Sequence, residues 1–323
     1  MNRRNFNRAL VSTLLFGSWA ARATASAEYP DKAIRVILPT SAGGATDSVA
    51  RLYAEYVGQL FNQTLVIENM PGALTMISVR NLVKSAPDGY TVGVMANTIT
   101  TLPNMPKPTG FKSSELTGVS NLAKSSMIFV VSAESPYHTL ADFVAAAKKT
   151  PGDVTYASVG EGTTSHLSVE LFTRAADINL LMVIYKGIAT AVPDVIAGRV
   201  NAMMGTMPSV GQLIKAGKLR ALAVTSEQRL STHPDVPTFS ELGYTDAVYE
   251  LFLGLFAPAD TPAPVIRTLS AAFESVKKQP DLVKRLQSMD QELPTQTTPE
   301  QFNVFLKKEE ERMKPLLIAS KQS

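Results

Sequence analysis

Apolar positions along the chain switch repeatedly between a strand period and a helix period. Ile34-Arg35-Val36-Ile37-Leu38 is a short β-branched run that predicts a strand. It stops at Pro39 and opens into Thr40-Ser41-Ala42-Gly43-Gly44-Ala45-Thr46-Asp47. Beyond that, Val49, Leu52, Tyr53, Tyr56, Val57 and Leu60 recur at helical spacing and share one face. Thr64–Glu68 predicts a second strand, Pro71-Gly72 a turn and Met76–Ser85 a helix. Pro87-Asp88-Gly89 then turns the chain into a third strand, Tyr90–Ala96. Strand–helix–strand–helix–strand is the doubly wound pattern built around a parallel sheet.

The pattern breaks and then restarts. Residues 97–125, with Pro103, Pro106, Pro108 and Gly110, read as an irregular connection. Ile128–Ser132 predicts a strand and Leu140–Lys149 a helix. Val154–Ser158 predicts a strand running into Val159-Gly160-Glu161-Gly162-Thr163-Thr164, followed by a helix carrying Leu167, Leu171 and Phe172. Strands are predicted at Leu181–Tyr185, Val200–Met204 and Ala221–Thr225, with helices at Ala189–Ala197 and Val210–Ala216. Leu251–Ala257 is a late apolar strand, and helices Ala263–Lys278 and Pro299–Ala319 close the chain. The fold class is therefore α/β, with two doubly wound domains. The restart at Ile128 and the late strand divide the chain into one lobe of 28–126 plus 245–323 and another of 127–244. Ile128–Ser132 and Leu251–Ala257 would be the crossover strands of a hinge.

One device occurs in each unit: a strand runs into a Gly- and Thr-rich loop, which opens a helix. Ligands of open α/β sheets bind outside the carboxyl ends of the strands, where such loops lie. Helix starts leave N–H groups unpaired and carry positive partial charge, which suits an anion. The expected ligand contacts are Ser41, Ala42, Gly43, Gly44, Thr46 and Asp47 in the first loop, and Ser158, Gly160, Gly162, Thr163, Thr164 and His166 in the second. Asn97, Thr98, Tyr185 and Thr206 follow other strand ends and would line the rest of the pocket. Neither loop carries a standard nucleotide motif: the second lacks the third glycine of the dinucleotide fingerprint, and Gly43-Gly44 is not followed by the Lys-Ser/Thr of a P-loop. His138, His166 and His233 are far apart and lack zinc-site spacing. For His166 a structural hydrogen bond ranks ahead of ligand contact. No serine sits in a G-x-S-x-G elbow, and no acid, base and nucleophile form a catalytic set. Met203, Met204 and Met207 read as core filling, and Glu309-Glu310-Glu311 as a solvated helix face.

Composition narrows the setting. Hydrophobic residues are 45% of the 323 and charged ones 18%, an ordinary globular balance. Arg3, Arg4 and Arg8 followed by the apolar run Ala9–Ala21 and Ala25-Ser26-Ala27 read as an export signal of 1–27, compatible with either Sec or twin-arginine export. That segment holds four arginines and no acid, so its removal takes the formal charge from +3 to −1 (+3 minus +4). No basic block with interleaved aromatics remains, which argues against nucleic acid. The chain has no cysteine, which excludes disulfides, thiolate sites and an N-terminal lipid anchor on cysteine. A freely diffusing monomer in a bacterial periplasm is the expected state.

Several motifs, in this order, match a known family. They include Tyr29-Pro30-Asp31-Lys32-Ala33-Ile34-Arg35, Gly43-Gly44-Ala45-Thr46-Asp47, Val66-Ile67-Glu68-Asn69-Met70-Pro71-Gly72-Ala73 and Ala86-Pro87-Asp88-Gly89-Tyr90-Thr91. They continue with Gly162-Thr163-Thr164-Ser165-His166-Leu167, Tyr185-Lys186-Gly187, Ala216-Gly217-Lys218-Leu219-Arg220-Ala221 and Ala257-Pro258-Ala259-Asp260-Thr261-Pro262. The chain resembles the Bug-type extracytoplasmic solute receptors of tripartite tricarboxylate transporters over nearly all of the part after the signal. The resemblance implies a two-lobed, type II-like periplasmic-binding-protein fold with a hinged cleft and no cofactor. It implies a small carboxylate as ligand: a dicarboxylate, an acidic amino acid or an aromatic carboxylate. The implied partners are the two membrane subunits of the transporter; some members instead inform a sensor kinase. The sequence departs from the family at Thr40, Ser41 and Ala42, at Asn201 and Gly205, and at Leu102-Pro103-Asn104, positions that touch the expected pocket.

Overall fold

Two sheets share a single long strand, and helices cover both faces of each. The computed structural model describes residues 29–105, 110–230 and 232–319; the expected export signal, 1–27, lies outside them. In chain order come β1 (Ile34–Leu38), α1 (Ala45–Phe61), β2 (Leu65–Asn69), α2 (Met76–Val83), β3 (Thr91–Ala96) and a one-turn α3 (Thr98–Thr101). Next are β4 (Leu116–Ser132), α4 (Leu140–Lys149), β5 (Thr155–Ser158), α5 (Thr164–Ala176), β6 (Leu181–Ile184), α6 (Ile188–Ile196), β7 (Ala202–Thr206), α7 (Met207–Lys215) and β8 (Leu219–Val224). β9 (Glu250–Pro258), α8 (Ala263–Val276), α9 (Pro280–Ser288) and α10 (Pro299–Ala319) follow.

The first sheet has the order β2-β1-β3-β9-β4 and the second β6-β5-β7-β4-β8. Within each, three strands are parallel, and an antiparallel strand, β9 or β4, lies next to them. β4 pairs with β9 as far as Ser126 and with β7 and β8 from Met127 on, so the chain passes between the sheets at that peptide. Nearly all of its 17 residues are buried, as a strand covered on both faces must be.

Three expectations need correction here. The stretch 97–125 is not an irregular connection throughout, because β4 already begins at Leu116. Its polar residues hide the pattern and several find partners inside the fold: Lys277 Nζ donates to Ser120 Oγ at 3.1 Å and to Asn121 O at 2.6 Å, and Asn121 Nδ2 donates to Gln296 Oε1 at 2.9 Å. Ile128–Ser132 lies wholly in the second sheet and β9 wholly in the first, so neither crosses. The return passage is at Tyr249, whose N–H donates to Thr225 O at 3.1 Å. Helix α9 was also unforeseen. It buries only Leu282 and Leu286, too few apolar positions to show a period, although Pro280 at its first turn is a start signal.

Each sheet face has its own core. Tyr53, Leu253 and Phe273 belong to the cluster under α1, α8 and α9, and Phe252 and Phe302 to the one under α2 and α10. In the second half Phe129 meets Phe143 and Phe172, with ring centroids 5.0 and 5.3 Å apart, beneath α4 and α5. Val195, Met203 and Val210 fill the opposite face. A fifth cluster joins the halves: Leu167 and Leu171 of α5 pack with Tyr249 and with Met313, Leu316 and Leu317 of α10. The face expected to be solvated at 309–311 is so only at Glu311. Burial raises the pKa of Glu309, and Glu310 accepts from Asn104 and Ser113 at 2.9 and 2.8 Å, because α10 packs along the lobe junction.

Candidate functional site

Strand direction places the two loops. β3 runs antiparallel to β9, so its last residue, Ala96, reaches Leu253; β7 runs antiparallel to β4, so its last residue, Thr206, reaches Met127. β1 is parallel to β3 and β5 is parallel to β7. The carboxyl ends of both parallel sets therefore point at the passage between the sheets. The loops after β1 and β5 open there, one from each half.

In the first loop, Gly43 takes φ 84°, a backbone state that disfavours any other residue. That conformation aims its N–H back at the helix, where it donates to Asp47 Oδ2 at 3.0 Å. The same oxygen accepts from Arg51 Nε at 2.9 Å, and Oδ1 accepts from Asn69 Nδ2 at 3.0 Å. Asn69 also donates to Thr40 O at 2.9 Å. Arg51 first, then the Gly43 amide and Asn69, hold the Asp47 carboxyl down at about 2 against the opposing effect of burial. Ser41–Ala45 themselves are exposed.

The second loop repeats the device. Gly162 takes φ 72°, and its N–H donates to His166 Nδ1 at 3.3 Å. In both loops a positive-φ glycine is thus tied to the side chain four residues on. His166 is 4% exposed, and burial lowers its pKa to about 4. It is a neutral acceptor at Nδ1, which leaves its proton on Nε2, 3.9 Å from Glu170. Thr163 Oγ1 donates to Gly160 O at 2.6 Å, and Ser158 and Ser165 share a hydroxyl contact at 3.1 Å. Val159 N donates to Ser165 Oγ and Gly160 N to Ser158 Oγ, both at 3.2 Å. The loop also touches the first half, where Thr101 Oγ1 donates to Gly162 O at 3.3 Å.

These bonds sort the expected contacts. Asp47, Ser158, Thr163 and His166 use their side chains to shape the loops. Asn97 clamps β9, donating to Glu250 O at 3.0 Å and accepting from Phe252 N at 2.8 Å. Tyr185 donates its hydroxyl to Asp194 at 2.7 Å, Thr206 caps α7 with Ser209, and Thr98 meets Thr75 at 3.4 Å. What stays open is the backbone. Among the described residues, the N–H groups of Ala45 and Thr46 at the start of α1, and of Thr164 and Ser165 at the start of α5, find no acceptor. No hydrogen bond among the described residues joins one loop to the other. One residue escaped the sequence reading. Tyr249 lies fully buried beside Asn97 and Thr164, its hydroxyl without a hydrogen bond, and burial and Glu309 raise its pKa. It sits in a stretch with no motif, so nothing local marked it.

The arrangement presents helix N-termini from both halves, and no group of three or more His, Cys, Asp or Glu suited to a metal occurs among the described residues. The family described as "Tripartite tricarboxylate transporter family receptor" matches residues 49–321. Protein BugT of Bordetella pertussis is 30% identical over 311 residues, 94% of each chain. MatC from Rhodopseudomonas palustris with bound malate is 25% identical at a TM-score of 0.76, covering 90% of this chain and 100% of that one. A second R. palustris protein, with adipate, is 26% identical at a TM-score of 0.77, covering 89% and 96%. The solved neighbours share the two-lobed α/β architecture.

Proposed function

The chain belongs to the tripartite tricarboxylate transporter receptor family of periplasmic solute-binding receptors, and from that premise we propose that it captures a small carboxylate between its two halves and delivers it to membrane transporter subunits. The observation that carries this reading is the pair of helix starts. Each offers unclaimed N–H groups and positive partial charge at the same junction, and they come from different sheets. A carboxylate bridging Ser41–Thr46 and Ser158–Thr164 would satisfy both and would be released when the halves part. The lobes in this reading are 28–126 plus 245–323 and 127–244, hinged where β4 and the Tyr249 segment pass between sheets. Asn97, Thr98, Tyr185 and Thr206 shape the remaining wall. Relatives with malate and adipate support a dicarboxylate first, with acidic amino acids and aromatic carboxylates next. No cofactor is required, because binding by backbone donors involves no chemical step.

Calorimetry with malate, adipate and other short dicarboxylates, each beside its diamide, tests the reading. At least one diacid should bind, and its diamide should bind about a hundredfold more weakly, since charge-assisted hydrogen bonds contribute roughly 1.5–3 kcal/mol each. Binding of a neutral sugar or a cation in the same cleft, with every carboxylate inert, contradicts it.

A further inference from the structure

Tyr249 sits where the chain passes back from the second sheet to the first. Its N–H donates to Thr225 O at 3.1 Å, and the next residue, Glu250, begins β9. Its ring packs with Leu167 and Leu171 of α5 and with Met313, Leu316 and Leu317 of α10. Leu167 and Leu171 follow Thr164 at helical spacing, so all three lie on the face of α5 that meets Tyr249.

The hydroxyl is the part that packing does not explain. Tyr249 is 2% exposed and its Oη has no hydrogen bond, a destabilising state for a buried polar atom. It lies near the side chains of Asn97 and Thr164 without bonding to either. Asn97 donates one amide N–H to Glu250 O and accepts from Phe252 N, which leaves its second N–H over. Burial raises the phenol's pKa, so the hydroxyl keeps its proton and can both accept and donate. Thr164 differs from the residues beside it. Thr163 and Ser165 commit their hydroxyls to the loop, whereas half-buried Thr164 makes no side-chain hydrogen bond among the described residues.

We infer that Tyr249 is a positioning residue for the carboxylate at the start of α5: its hydroxyl donates to Thr164 Oγ1 and so turns the Thr164 proton toward the ligand. This role rests on the capture of a carboxylate at that helix start. A hydroxyl that accepts one hydrogen bond donates the next more strongly, and a carboxylate is the acceptor that profits most. The bond forms when the carboxylate fixes the Thr164 hydroxyl, so it enters affinity rather than the stability of the protein alone.

Calorimetry and thermal melts with malate, adipate, L-glutamate and benzoate, which span the ligand classes, test this on Tyr249→Phe, Thr164→Val and the double variant. Tyr249→Phe should weaken the carboxylate that binds by about threefold to tenfold, the range of one neutral hydrogen bond. Added to Thr164→Val it should weaken binding no further, because the group it acts through is gone. Without carboxylate, Tyr249→Phe should melt no lower than the parent, since the hydroxyl it removes has no partner in the fold; with carboxylate, its melting temperature should rise less. Equal affinity of Tyr249→Phe and the parent overturns this role. So does an equal loss in the Thr164→Val background, or a melting temperature several degrees lower without carboxylate, which would make the hydroxyl structural. If the unaltered protein binds none of the four, capture at the α5 start fails and this role fails with it; binding by the parent with Tyr249→Phe unaffected removes this role alone.

Discussion

His166 and Asp47 perform the same task with different chemistry. Each accepts the N–H of a glycine four residues earlier and so fixes the shape of a loop whose later amides stay free. The sequence reading gave His166 a structural hydrogen bond first, but for Asp47 this role was not legible, because it depends on the positive φ of Gly43. The histidine carries a signature in pH. Its folded pKa, about 4, lies below the ordinary value of 6.5, so the unfolded chain takes up the proton first. The stability contributed by neutral His166 is complete above about pH 6.5 and is lost progressively as pH falls toward 4, by on the order of 3 kcal/mol at the acid end. Denaturant midpoints across that interval should fall for the unaltered protein and fall less for His166→Gln, which keeps an acceptor without titrating. Equal slopes would show that His166 is solvated or free to charge in the native state.

At the scale of elements, regular structure was legible wherever one face alone is apolar. The predicted bounds of α4 match the structure, and its Thr139–Asp142 capping box is visible as T-x-x-D before the apolar run. β4 was half hidden because its first half carries Ser120, Asn121 and Lys124 at buried or half-buried positions, a pattern that resembles a loop until the partners are known. Lys277 is one such partner, 7% exposed, with its Nζ 2.6 Å from both Asn121 O and Glu274 Oε1. It ties α8 to the strand that joins the halves. Lys277→Met should destabilise the protein by about 3–5 kcal/mol in urea, because Glu274 is left as a poorly solvated charge without its partner. A loss below about 1 kcal/mol would mean that apolar packing alone holds α8 on β4.

At the scale of the whole molecule, the duplicated strand–loop–helix device was readable in the sequence, and so was the α/β class. The route of the chain between the halves was not. It turns on a single peptide inside β4 and on the Tyr249 segment, and neither carries a local signal. The two loops were legible as strand–loop–helix junctions, whereas the hydrogen bonds by which Asp47, Ser158 and Thr163 hold those loops were not. The proposed capture of a carboxylate rests on backbone N–H groups supplied by both halves, which makes the amide spectrum its most direct test. In a carboxylate titration followed by amide NMR on the isotope-labelled protein, the resonances of Ala45, Thr46, Thr164 and Ser165 should shift together, with one affinity, as they gain acceptors. Binding that leaves either the α1 pair or the α5 pair unmoved would contradict capture between the two helix starts.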